Sequence, residues 1–133
     1  MSAIDHARTL HRMAGKDLKA LKAMTNADAF DDEIFGFHAQ QAVEKSLKAW
    51  IAALGGTFGF THDLRMLLLT LRDLGCEIEP LRALIRLNVY AVQFRYEPVE
   101  SFSGDIDRPA LLARVEALYD QVAKVLAALG AHQ

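Results

Sequence analysis

Apolar residues recur at helical rather than strand spacing along nearly the whole chain, and glycine or proline falls between the repeating stretches. That punctuation predicts five helices. The first runs from about Ser2 to Met24, with Leu10, Met13, Ala14, Leu18, Leu21 and Met24 on one arc and Arg8, Arg12, Lys16 and Lys19 opposite. The second begins within the acidic stretch Asp28 to Asp32, suited to a helix N-terminus, and stops at Gly55-Gly56. Its core stripe is Phe35, Ala39, Ala42, Val43, Leu47, Trp50 and Leu54. The third opens at Thr61, an N-cap residue type, and closes at Gly75, with Leu64, Leu67, Leu68 and Leu71 inward. A fourth starts around Pro80 and ends before Pro98. It is apolar round most of its circumference, which predicts the central helix. The fifth runs from Asp107 to Gly130 with the stripe Leu111, Val115, Leu118, Val122, Leu126 and Leu129. Glu97 to Ile106 is the longest irregular connection. Short connections elsewhere favour antiparallel neighbours, so the expected fold is an all-α, up-and-down bundle of four to five helices, one domain spanning residues 1–133.

Composition narrows the function. With 133 residues, 52% hydrophobic, the chain can bury a sizeable core without disulfides or structural metal. The single cysteine, Cys76, and an N-terminus without a signal-like apolar run lead to the expectation of a cytoplasmic protein with no membrane segment. A net charge of −2 excludes the large basic excess of a non-specific nucleic-acid binder, so any such role is local. The strip Arg8, Arg12, Lys16 and Lys19 fits RNA phosphates or a solvated face. Met66 and Leu69 lie off the third helix's main stripe and suit either a dimer contact or isolated exposure. His6, His11 and His132 lack companion ligands, and there is no HExxH, CxxC or phosphate-loop pattern, so no metal and no cofactor are expected.

Two groups of polar residues stand out against a plain bundle. Asn88 and Arg95 project from the apolar arc of the fourth helix. A guanidinium there requires an internal carboxylate such as Glu44 or Asp63, or an anionic ligand from solution. On the second helix His38, Gln41, Lys45 and Lys48 share one strip, flanked by Glu44, which reads either as an exposed face with one ion pair or as one side of an anion site. His62 and Asp63 open the third helix, where free N–H groups favour an anion.

The run Phe37-His38-Ala39-Gln40-Gln41-Ala42-Val43-Glu44-Lys45-Ser46-Leu47-Lys48-Ala49, then Thr61-His62-Asp63-Leu64 with Leu67-Leu68, then Tyr90 and Phe94-Arg95-Tyr96, resembles the HEPN family (higher eukaryotes and prokaryotes nucleotide-binding domain) over essentially the whole chain. The resemblance implies a four- or five-helix bundle, often dimeric, in small prokaryotic proteins frequently paired with a minimal nucleotidyltransferase as a two-component or toxin–antitoxin system. Many members are metal-independent RNases that carry an arginine followed a few residues later by a histidine. Arg95 matches the arginine, whereas Glu100, Ser101 and Phe102 stand where the histidine falls. The resemblance therefore implies first a non-catalytic nucleotide- or substrate-binding module acting with a nucleotidyltransferase. Arg95, Lys45 and Lys48 would hold phosphate, His38, Gln41, His62 and Asn88 would orient the ligand, and Tyr90 or Tyr96 would stack on a base. The alternatives are a ribonuclease toxin using Arg95 with His38 or His62, and a structural dimerisation module whose polar groups are paired internally.

Overall fold

The computed structural model describes residues 2–91 and 106–130. Helix α1 spans Ala3–Ala23, α2 Asp32–Ala53 and α3 Leu64–Asp73, followed by a 3-10 helix, Glu79–Asn88, and by α4, Arg108–Gly130; the described residues contain no strand. The fold is an all-α bundle, as the periodicity predicts.

The helix ends follow from local chemistry. Ser2 caps α1 in a capping box with Asp5, each side chain taking up a backbone N–H of the other residue. Asp63, rather than Thr61, caps α3, its carboxylate accepting the Arg65 N–H at 2.9 Å; the Thr61 hydroxyl instead accepts the Asp63 N–H one step earlier. Helices α2 and α3 both end in a left-handed glycine, Gly55 at φ 80° and Gly75 at φ 92°. The next residues, Gly56 and Cys76, donate their N–H back to Ile51 and Leu71, and these bonds take up carbonyls the helix ends leave open.

Packing settles which helix is central. Helix α2 is buried on almost every side, from Phe35 through Val43 and Leu47 to Trp50, Ile51 and Ala52, and packs on α1, α3, α4 and the 3-10 helix. The apolar circumference of the fourth helix predicts that place for it. The structure instead makes Glu79–Asn88 a 3-10 helix with a single buried face. Leu81, Leu84, Leu87 and Tyr90 are spaced by three, and at three residues per turn they line up on one side, leaving Arg82, Ala83 and Arg86 exposed. Val89 to Ala91 are α-helical, and the expected end before Pro98 lies outside the described residues, as does most of Glu97 to Ile106. Two expected core residues, Met13 and Leu54, are exposed at 41% and 38%. Met13 sits at the edge of its stripe, and Leu54 is the cap residue past the end of α2.

Contacts fix the directions of the long helices. Lys22 pairs with Glu116 at 2.7 Å and His11 bonds the Tyr119 carbonyl, so α1 and α4 run antiparallel. At the start of α4, Arg108 reaches Asp32 at the start of α2. The connection between α2 and α3 runs back along α2, because Gln40 donates to the His62 carbonyl, while Leu74 lies beside Gly56. Helix α3 thus starts beside the middle of α2.

Tyr90, 2% exposed, lies on Gly36 of α2. Burial, then the negative charges of Asp32 and Glu33, push its hydroxyl up from the ordinary tyrosine value. A raised folded-state value means that Tyr90 contributes stability which is fully present below the unfolded value of about 10 and is lost as pH rises through the folded one. Burial pushes the Cys76 thiol up as well, with the same sign. In a Cys76→Ser background, urea unfolding is expected to show stability falling above about pH 10, and Tyr90→Phe is expected to flatten that fall. An unchanged slope in the phenylalanine variant would dismiss the assignment.

Candidate functional site

The polar strip of α2 lies where two neighbouring elements each bring one decisive partner. From α1 comes Asp17, whose side chain is 12% exposed; His38 Nδ1 lies 3.1 Å from one of its oxygens and Lys45 Nζ 2.7 Å from the other. From the loop before α3 comes His62, whose Nδ1 lies 3.0 Å and 3.1 Å from the two oxygens of Glu44. Glu44 itself is 5% exposed at the side chain. It also accepts from Lys48 Nζ at 3.2 Å and from Gln40 Nε2 at 3.0 Å, while Gln41 donates to Gln40 at 2.7 Å. The Lys48 ammonium stands 5.3 Å from the centre of the Phe58 ring.

The two clusters share one design. In each, a recessed carboxylate holds one ammonium and one imidazole. An ionised carboxylate only accepts, so the proton of each neutral imidazole sits on Nδ1, and Nε2 is left with its lone pair. No bond to Nε2 of His62 occurs among the described residues, and the His62 side chain is 67% exposed. This is the arrangement in which a carboxylate orients an imidazole for accepting a proton or meeting a ligand. Glu44 is well satisfied, with donors on both oxygens, which is what makes a buried carboxylate tolerable.

The sequence-derived set is therefore divided between two carboxylates. His38 and Lys45 meet on Asp17; Lys48 and His62 meet on Glu44, with Gln41 reaching that cluster through Gln40. Asn88 is engaged elsewhere, accepting the Leu64 N–H at 2.8 Å and donating to Asp63 at 2.8 Å, a tie between the 3-10 helix and the start of α3. The Tyr90 ring is packed on Gly36 instead of standing open for stacking. Arg95, Tyr96, His132 and the positions Glu100, Ser101 and Phe102 lie outside the described residues. Glu44 and Asp63, the carboxylates named as possible partners of Arg95, carry the bonds just given.

Two important residues escaped the sequence reading. Asp17 sits on the same arc of α1 as Leu18 and Leu21, so a carboxylate on the buried side was the available signal. Gln40 falls on the same meridian as Leu47, two turns on, and is fully buried. The described residues hold no group of three or more His, Cys, Asp or Glu placed to bind a metal, and no helix among them is long and apolar enough to cross a membrane.

Comparison with protein families gives one finding: a family model described as HEPN domain matches residues 7–129. No curated protein and no solved structure matches the chain.

Proposed function

This chain belongs to the HEPN domain family, and on that premise we propose that it is a nucleotide- or substrate-binding module that takes a phosphate-bearing ligand along the polar strip of α2, at exposed His62, half-buried His38 and Lys45, and the largely buried Lys48. In this reading it works as a cytoplasmic homodimer beside a minimal nucleotidyltransferase, in a toxin–antitoxin-type pair, with Arg95 and Tyr96 supplying further contacts to phosphate and base. The observation that supports it is the anchoring of exposed His62 by buried Glu44 next to Lys48. A ring fixed at Nδ1 loses little freedom when its other edge meets a ligand.

Calorimetric titration of a short single-stranded RNA without a terminal phosphate tests the assignment. His62→Ala removes one charge-assisted bond to the ligand and is expected to weaken binding about tenfold in a protein whose helical circular dichroism remains that of the folded chain. Equal affinities, or no binding to either protein, would remove α2 as the ligand edge. Recovery of a nucleotidyltransferase with the native protein from its source cell tests the pairing separately.

A second reading is favoured by the same geometry. The order Glu44, His62 Nδ1, free Nε2 is that of an oriented general base, which suits a metal-independent ribonuclease that removes the proton of an RNA 2′-hydroxyl. Cleavage of structured RNA in the presence of a chelator, abolished by His62→Ala, supports it. A folded protein that leaves RNA intact sets it aside.

A further inference from the structure

The 3-10 helix packs on α2 and α3, and a groove of about 300 Å³ lies between it and the first turns of α4. Its floor is apolar, from Leu84, Leu87 and Leu111, and Arg86 stands on one wall and Arg114 on the other. Both guanidiniums are exposed, and neither makes a hydrogen bond or ion pair among the described residues. Arg82, on the same 3-10 helix, is by contrast paired with Glu79 at 2.9 Å. Among the described residues the one carboxylate lining the groove is Asp107, which accepts the Ala110 N–H at 3.1 Å and so caps α4. None of these residues belongs to the polar clusters of α2.

We infer that this groove is a second ligand site, for an organic phosphate monoester whose apolar body lies on the leucine floor while Arg86 and Arg114 grip the phosphate. Two guanidiniums match the two charges of a monoester, and their planar forks fit its oxygens. Leucines at the bottom of a concavity of this size take up a flat or aliphatic body of nucleoside size or smaller. A bare oxyanion would use the walls and leave the floor wet; a neutral apolar molecule would do the reverse. The proposed ligand uses both.

The test is titration of the full chain with phenyl phosphate, inorganic phosphate and phenol, followed by amide chemical-shift mapping. Phenyl phosphate is expected to shift Leu84, Leu87, Ala110 and Leu111 and to bind at least tenfold tighter than either fragment. The double variant Arg86→Gln, Arg114→Gln, altered only at exposed positions, is expected to lose at least tenfold in affinity with its melting temperature unchanged. Ala110→Trp, which fills the groove from its rim, is expected to abolish the shifts and gives an independent arm should the double variant fold poorly. Phenol binding as tightly as phenyl phosphate would overturn the proposal, as would inorganic phosphate doing so, shifts elsewhere only, or an unaffected double variant. His62→Ala is expected to leave phenyl phosphate binding intact, so failure at α2 and failure at the groove are read separately.

Discussion

Arg108→Ala is expected to lower stability by about 3–5 kcal/mol, a fall of about 10–20 °C in melting temperature. Arg108 is 4% exposed at the first residue of α4, and its guanidinium is the meeting point of three chain segments. It donates to the carbonyls of Met24 at 2.8 Å, Asn26 at 3.4 Å and Phe30, all in the turn between α1 and α2, and to Asp32 at 2.8 Å, while its carbon centre stands 4.9 Å from the middle of the Phe35 ring. Truncation leaves the Met24 and Phe30 carbonyls without this donor, at about 1–3 kcal/mol for each one that water does not reach, while the Asn26 carbonyl keeps the N–H groups of Ala29 and Phe30. The ion pair itself contributes little of the total, since the Asp32 side chain is 42% exposed. Arg108→Lys is expected to recover less than half of the loss, because one ammonium cannot span the turn as a planar fork does. Thermal unfolding followed by circular dichroism decides the matter. A shift under about 3 °C for the alanine variant would show that water replaces the guanidinium freely.

Gly36→Val is expected to cost about 3 kcal/mol, the upper end of what inserting methyl groups into a packed interior does. A side-chain carbon added at Gly36 lands 2.5–2.6 Å from three atoms of the Tyr90 ring, far inside contact distance. Replacing a mid-helix glycine ordinarily helps a helix by up to about 1 kcal/mol. Here the ring has nowhere to go, being buried against the helix backbone. Shrinking it relieves the clash, so Gly36→Val combined with Tyr90→Ala is expected to be less destabilised than the sum of the single changes by at least about 1 kcal/mol, measured by a urea double-mutant cycle. Additive losses would mean that the valine disturbs something other than the tyrosine.

Both positions show where reading the chain stops working. Helix ends and inward faces of α1, α3 and α4 are local matters, and Leu64, Leu67, Leu68 and Leu71, like Val115, Leu118, Val122 and Leu126, are buried as their spacing requires. Arg108 looks like an ordinary charged residue in a helix's first turn, because the carbonyls it serves arrive from 78 to 84 residues earlier in the chain. The 3-10 helix was legible in principle, since Leu81, Leu84, Leu87 and Tyr90 recur every third residue. The isolated apolar residues between them, such as Ile85 and Val89, masked the period and gave the impression of an all-round buried helix. On α2, the sequence shows that His38, Lys45 and Lys48 share a strip. It does not show that Asp17 and Glu44 claim them separately, because that depends on how α1 and the loop before α3 lie against α2. Gln40 and Glu44 were disguised by their polarity. Both sit among apolar neighbours, and their hydrogen bonds to each other and to Lys48 make that burial tolerable.

That last arrangement constrains how the protein can drift over generations. Gln40, Glu44 and Lys48 stand one turn apart on a helix surrounded by other parts of the chain, so exchanging Glu44 for an aliphatic residue leaves the buried Lys48 ammonium without its carboxylate and Gln40 without one of its acceptors. A lineage can give up the carboxylate only by replacing the ammonium with it. Relatives are therefore expected to divide into those that keep both Glu44 and Lys48 and those that carry greasy residues at both places, with few mixtures between.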